Sequence, residues 1–364
     1  MLKLLYFSTA IVPSSYANSV NVMKMCNALS VIGTEVTLTV TEGVSQNDVY
    51  NYYGIKNKFK IIRMKNGKMR FLSRIIVLLK EAYHNDVIYT RYTLAAFITA
   101  LILRKFVIYE YHAPAYKKIY TFLESILSKS NNVLHVFITE ALENYYLNKY
   151  ENIKSKYRIV LPDGADKIFS SLPERQREII NCGYVGSFIQ GKGIDTIIEI
   201  ANRLPDIKFH VVGGKKEEIK NLKELNNANN IIWYGQLSQA DAMKVLEDKI
   251  DIALLPNHKN IIVEGKFDIG KWTSPIKLFE YMSYGKAIIA SDIPVLHEII
   301  HDNQNVLLAN PEDPQSWVVA ITYLINNPKE LDRIRKNAFD TFSQLYSWEK
   351  RAEKLINKLD KLFS

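Results

Sequence analysis

Along the 364 residues, apolar positions fall into two recurring arrangements. Short runs that are apolar almost throughout, bounded by Gly, Pro or polar clusters, predict strands buried on both faces. They lie at 2–8, 36–39, 87–90, 106–111, 133–138 and 157–161, and again at 179–185, 208–212, 231–234, 252–255 and 287–290. Between them, apolar residues at helical spacing predict helices over 19–30, 94–103, 116–127, 141–150, 194–203 and 240–246. Val22, Met25, Cys26 and Leu29 give the first of these one apolar face, and Gly33 follows its end. Another helix ends at Gly285, and the loop 291–294 feeds a further one.

Repeated alternation of strand and helix implies the α/β class, with parallel sheets covered on both faces. The polar stretch 170–178 around Pro173 reads as a linker. It divides the chain into two doubly wound, Rossmann-like domains, 1–172 and 173–345, whose strand ends direct ligands to a facing cleft. The remainder, 346–364, is an amphipathic helix opened by Trp348 and carrying Ala352, Leu355, Ile356, Leu359 and Leu362.

Composition narrows this reading. A chain with 48% hydrophobic and 23% charged residues is globular. Cys26 and Cys182 lie far apart with no metal-ligand spacing, which fits a reducing, cytoplasmic compartment. Residues 1–12 resemble a weak signal peptide but are better explained as a buried first strand, and the apolar run 93–103 is too short to span a bilayer. Net charge is +9, and Gly54 to Lys118 alone holds fourteen basic residues against three acidic ones. Within 56–80 the cations alternate with Phe59, Ile61, Met69, Phe71, Leu72 and Ile75, a pattern suited to an anionic membrane surface. Nucleic acid and a merely solvated basic face are the competing readings; the expected partner is the membrane and not nucleic acid.

Several positions carry candidate chemistry. Glu280 stands among Ile276, Leu278, Phe279 and Met282, where it either faces the wet side of the helix or, if buried, requires a cation or ligand hydroxyls. Gly186 to Gly193 follows a strand and opens a helix like a phosphate loop, but Gly193 occupies the place of the magnesium-binding hydroxyl. Lys192 at that helix start still favours a phosphate. His112 ends a buried strand, as Thr139-Glu140 and Pro162-Asp163-Gly164-Ala165-Asp166 end later ones; Gly164 is expected to take a left-handed backbone angle. Ala17, Asn18 and Ser19 open the first helix with small residues that admit an anion, or serve as ordinary caps. No Asp-x-Asp pair and no His or Cys cluster occurs, so no metal is expected.

Ser-Pro-Ile-Lys-Leu-Phe-Glu-Tyr-Met from Ser274, followed by Gly-Lys-Ala-Ile-Ile-Ala-Ser-Asp from Gly285, resembles the donor-binding signature of the family 4 retaining glycosyltransferases. The resemblance implies the GT-B fold, with a nucleoside-diphosphate sugar as substrate, no cofactor and no metal. It implies that Glu280 accepts hydrogen bonds from ribose hydroxyls and that Ser274, Pro275 and Ile276 hold the donor sugar and phosphate. It further implies that Lys192 contacts the donor diphosphate beside Gly186 and stabilises the leaving nucleotide. By the same resemblance, His112 is expected near the transferred sugar and the last helix is expected to pack on the first domain. Two positions depart from the family: Ser187 replaces its usual arginine, for which Lys277 can supply a charge, and Trp272 replaces a second glutamate, for which Glu264 or Asp268 can substitute. The implied reaction moves a sugar with retention to an acceptor hydroxyl on a glycan or lipid-linked acceptor, in bacterial surface polysaccharide synthesis, at or near the inner face of the cytoplasmic membrane. A non-catalytic relative that binds sugar or a partner subunit, and a nucleotide-sugar epimerase, are the alternatives.

Overall fold

The computed structural model describes residues 1–14, 16–43, 48–64, 70–175, 179–226, 228–263 and 266–363. They form two compact units, Met1–Asp163 with Trp348–Ser364 and Gly164–Ser347.

The first unit holds strands β1 Lys3–Val12, β2 Glu35–Glu42, β3 Lys60–Met64, β4 Val87–Thr90, β5 Phe106–Tyr111, β6 Val133–Phe137 and β7 Arg158–Val160. Its helices are α1 Ala17–Val31, α2 Val49–Tyr52, α3 Arg70–His84, α4 Thr93–Phe97, α5 Lys118–Leu127 and α6 Glu140–Lys149. The sheet is parallel in the order β3-β2-β1-β4-β5-β6-β7. In the second unit lie β8 Cys182–Val185, α7 Ile194–Arg203, β9 Phe209–Val212, α8 Lys216–Glu224, β10 Ile231–Gly235, α9 Gln239–Lys249 and β11 Ile252–Leu255. The short hairpin β12 Ile262–Val263 and β13 Phe267–Asp268 follows, then α10 Ile276–Ser283, β14 Ala287–Ser291, β15 Leu307–Ala309, α11 Pro314–Asn326 and α12 Pro328–Leu345. This sheet is parallel in the order β10-β9-β8-β11-β14-β15. The chain returns to the first unit as α13 Trp348–Phe363.

Strand alternation explains why these runs are apolar at every position. Ile288 and Ala290 enter one core with Leu246, Leu278 and Phe342, while Ala287 and Ile289 enter the other with Ile197, Trp317 and Ile321. In the first unit, α1 and α13 cover one sheet face, where Met25 and Leu29 share a core with Trp348, Ala352, Leu355 and Leu359.

Four expectations change. The described part of the segment read as a linker, 170–175, is built into the second unit: the Pro173 carbonyl accepts a hydrogen bond from Arg335 Nη2 at 2.6 Å. The basic segment 56–80 contains β3 and the greater part of α3, hidden from the pattern because β3 is an edge strand that tolerates Lys60 and Arg63. The helix over 94–103 divides into α4 and a π-helical turn, Ile98–Ile102, closed by Leu103 N–H to Ile98 O at 3.0 Å. After Ser291 only one 3₁₀ turn forms, Pro294–Leu296, because Ile299 and Ile300 both enter the core. No helix of the described residues is long and apolar enough to cross a membrane.

Candidate active site

In each sheet the strand order reverses once, between β1 and β4 and between β8 and β11, and ligands of such sheets bind at the carboxyl ends of the strands there. After β8 the chain turns through 186–193 into α7. Gly191 and Gly193 have φ of 88° and 75°, and a Cβ on them would lie 2.0 Å from Asn260 O and 1.9 Å from Pro256 O. Only glycine lets this loop lie against the segment that leaves β11. His258 N–H donates to Gly191 O at 2.8 Å, and His258 Nε2 lies 3.1 Å from the Thr196 hydroxyl, which fastens that segment to α7.

Lys192 stands between the two glycines. Desolvation lowers its ammonium from the ordinary 10.5 to about 8. Its side chain has no hydrogen-bond or ionic partner among the described residues. A desolvated cation at the N-terminus of a ten-residue helix is suited to an anion. Gly186 N–H is held by Val212 O at 3.0 Å, whereas Ser187 is exposed and contributes only its carbonyl, to the Tyr184 hydroxyl at 2.8 Å.

Glu280 is buried on α10, not on a wet face. Gln239 Nε2 donates to its Oε1 at 2.8 Å. Lys277 Nζ lies 2.7 Å from Oε2 but out of line for a hydrogen bond, so Oε2 keeps lone pairs without an aligned donor. Lys277 is thus placed as the counter-ion of Glu280. The next residue positions the helix: Tyr281 Oη accepts from Val185 N–H at 2.9 Å, tying α10 to the end of β8. Ser274 is buried, and Pro275 and Ile276 form the start of α10, where Leu278 N–H donates to Pro275 O at 3.0 Å. Asp268 does not stand in for a sugar-binding glutamate through Oδ1, which accepts from Ile261 and Gly270 N–H, both at 2.9 Å, to shape the loop before Trp272. Glu264 lies outside the described residues.

Sequence reasoning missed Asn257. It follows β11 at the reversal point, is 1% exposed, and neither its amide oxygen nor its nitrogen has a partner among the described residues. Four unmet hydrogen-bonding valences in a buried place are costly unless a ligand or water meets them. The only sequence signal was a polar residue after a buried strand.

In the first unit, the ends of β4 and β5 carry a charged cluster. Glu110 is buried; Arg351 Nη2 lies 2.8 Å from its Oε2, and Arg91 Nη2 and His112 Nε2 lie 2.8 and 2.6 Å from its Oε1. Tyr89 also donates its hydroxyl to Oε2. Burial by itself would raise the Glu110 carboxyl, but Arg351 and Arg91 outweigh it and hold the group well below the usual carboxylate range. Asn21, on α1, accepts from Arg91 and donates to Asp163.

Helix α1 begins at Ala17, so Asn18 and Ser19 are not its caps; the buried Ser19 hydroxyl instead closes the preceding loop on Ser14 O and Tyr16 O, at 2.8 and 2.7 Å. Ala17 and Asn18 are exposed in the first turn. Thr139 caps α6, accepting from Leu142 N–H at 3.1 Å. Gly164 is not among the left-handed residues; Asp163 and Ala165 shape that turn, through Asn21 and a bridge to Ser347. Among the described residues, no three His, Cys, Asp or Glu side chains are grouped to hold a metal.

Residues 166–341 match the family described as glycosyl transferases group 1. The chain is 28% identical over 173 residues to an uncharacterized glycosyltransferase of Methanocaldococcus jannaschii, covering 46% of the chain and 44% of that relative. It is 25% identical over 280 residues to a 41.2 kDa protein in the cps region of Klebsiella pneumoniae, covering 68% and 72%. Its fold is that of sucrose-phosphate synthase from Thermosynechococcus elongatus, with a TM-score of 0.74 at 18% identity over 100% and 99% of the two chains. HepE from Anabaena, solved with UDP and glucose, gives 0.74 at 15% identity over 99% and 100%. The two parallel-sheet units are those of the GT-B architecture.

Proposed function

We propose that this glycosyltransferase moves a sugar, with retention and without a metal, from a nucleoside diphosphate to an acceptor hydroxyl on a glycan or lipid-linked acceptor of surface polysaccharide synthesis. The observation that carries the reading is Lys192, a desolvated ammonium at a helix start with no partner among the described residues. A diphosphate leaving group meets its charge, and the preorganised cation and helix amides stabilise the anion as it develops. Glu280 Oε2 offers a second acceptor suited to ribose hydroxyls, and Asn257 adds a donor and an acceptor beside the same loop. HepE was solved with UDP and glucose, and one relative lies in a cps region; both support the donor class and the setting. Donor hydrolysis and transfer across UDP-, GDP- and ADP-sugars test it: turnover of one donor that falls on Lys192→Ala supports the assignment, and turnover unchanged by that substitution overturns it.

The expected membrane partner rests on α3. Leu72, Ile76, Leu79 and Tyr83, spaced to share one helix face, are 49%, 56%, 42% and 81% exposed. This stripe lies in the segment of highest positive charge, and an anionic bilayer satisfies both features. Arg74 is turned away from that face, donating to Thr41 Oγ1 at 3.2 Å, and Lys60 pairs with Glu81. Lys65 and Lys68 lie outside the described residues.

A further inference from the structure

Of the groups around Glu110, His112 is the most open to solvent, with 32% of its side chain exposed against 19% for Arg91 and 2% for Arg351. Its Nε2 faces Glu110 Oε1, and its Nδ1 has no partner among the described residues. An ionised carboxylate offers only lone pairs. Clamped between two guanidiniums, Glu110 is therefore an acceptor, and the proton of the neutral imidazole must sit on Nε2. The other nitrogen is left as a bare lone pair at the carboxyl end of the sheet.

We propose that Glu110 is a positioning residue that locks His112 in the Nε2–H tautomer, so that Nδ1 accepts a hydrogen bond from a hydroxyl of the reacting sugar. The inference rests on the reading of His112 as a sugar-facing residue. It also gives α13 a purpose beyond packing, because Arg351 carries half of the clamp from the last helix back to the end of β5. Arg351 also donates to Pro162 O at 2.8 Å and Leu161 O at 3.1 Å, which limits its freedom to swing away from Glu110. A glutamine at position 110 would reverse the lock, since its amide can donate to Nε2 and drive the ring proton to Nδ1.

Nitrogen-15 NMR of histidine-labelled protein at pH 8, with His112→Ala to assign the resonance, reads the tautomer directly. The wild type should show a protonated Nε2 and a bare Nδ1, and Glu110→Gln should exchange them. In that variant, kcat/KM for sugar transfer should fall at least tenfold while UDP affinity stays within twofold. A protonated Nδ1 in the wild type, or a tautomer unmoved by Glu110→Gln, overturns the lock. If the tautomer exchanges and transfer is unchanged, Nδ1 meets no sugar hydroxyl and the proposal fails. Transfer unchanged in His112→Ala as well traces that failure to the reading of His112 rather than to Glu110. Should Glu110→Gln not fold, Glu110→Asp keeps the charge between the arginines, withdraws the carboxylate from the ring, and should lower kcat/KM similarly.

Discussion

Arg351 and Glu110 are 241 positions apart in sequence, yet Nη2 of one lies 2.8 Å from Oε2 of the other, with 2% and 0% of their side chains exposed. Removing one member of such a pair leaves the other buried and undercompensated. Arg351→Met should lower unfolding free energy by about 3 to 5 kcal/mol in urea denaturation; a loss below about 1 kcal/mol would show that Arg91 suffices alone. The pH dependence has a definite sign. A carboxyl depressed in the folded state stabilises fully above its unfolded value near 4.5 and loses that contribution as pH falls towards its folded value. Below pH 4.5 the wild type should therefore lose stability more steeply than Glu110→Gln, by about 1.4 kcal/mol per pH unit.

Lys192 is expected to oppose stability and serve activity. Its charged form is disfavoured in the fold, so Lys192→Met should raise the melting temperature at pH 7 while lowering turnover by about 2 to 4 kcal/mol of barrier. The stability difference should shrink as pH rises from about 8 to 10.5, where folded and unfolded lysine both become neutral. Nucleoside-diphosphate affinity should weaken over the same rise as the free protein's ammonium is lost. Calorimetry between pH 7 and 10 checks both trends; affinity flat through pH 8 removes the lysine from the phosphate site.

Glu280→Gln should weaken nucleoside-diphosphate binding by about 1 to 2 kcal/mol, because a charge-assisted acceptor becomes a neutral one. Titration calorimetry with UDP, GDP and ADP reads the change. An unaltered affinity for the preferred nucleotide would assign Glu280 to holding Lys277 and Gln239 alone.

Excess EDTA should leave sugar transfer within about twofold of its starting rate, since cations and helix amides are expected to carry the leaving-group charge. Loss of activity restored by manganese or magnesium would establish a metal requirement.

Replacing Leu72, Ile76 and Leu79 by Gln should release the protein from anionic vesicles in co-sedimentation while sparing transfer to a soluble acceptor. Binding by the wild type should fall with salt, as exposed charges are screened over about 8 Å at physiological ionic strength. Equal binding to neutral vesicles would remove the electrostatic component, and binding to oligonucleotides instead would point to nucleic acid.

The two doubly wound units were legible because strands covered on both faces must be apolar at nearly every position, as Ala287 to Ala290 are, and the helices between them need only one apolar face. Gly191, Lys192 and Gly193 were legible for a local reason: a tight turn into a helix has its own residue requirements. Glu280 stood out because a charge inside an apolar run demands partners. Their identity did not follow, since Gln239 reaches it from 41 residues away and Lys277 takes the place of its counter-ion only through the turn of α10. β3 and α3 escaped the pattern because an edge strand and a helix with exposed apolar side chains blur the periods that mark buried elements.

The sequence by itself determined the fold class and the residues whose chemistry is set by local backbone geometry, because burial period and turn requirements act over a few neighbouring positions. Only the tertiary structure decided that Arg351 returns to Glu110, that His112 takes its orientation from that pair, and that the Asn257 side chain is left buried with no partner among the described residues. These relationships depend on which strand ends and helix faces meet in space, and residues hundreds of positions apart carry no local pattern that records it.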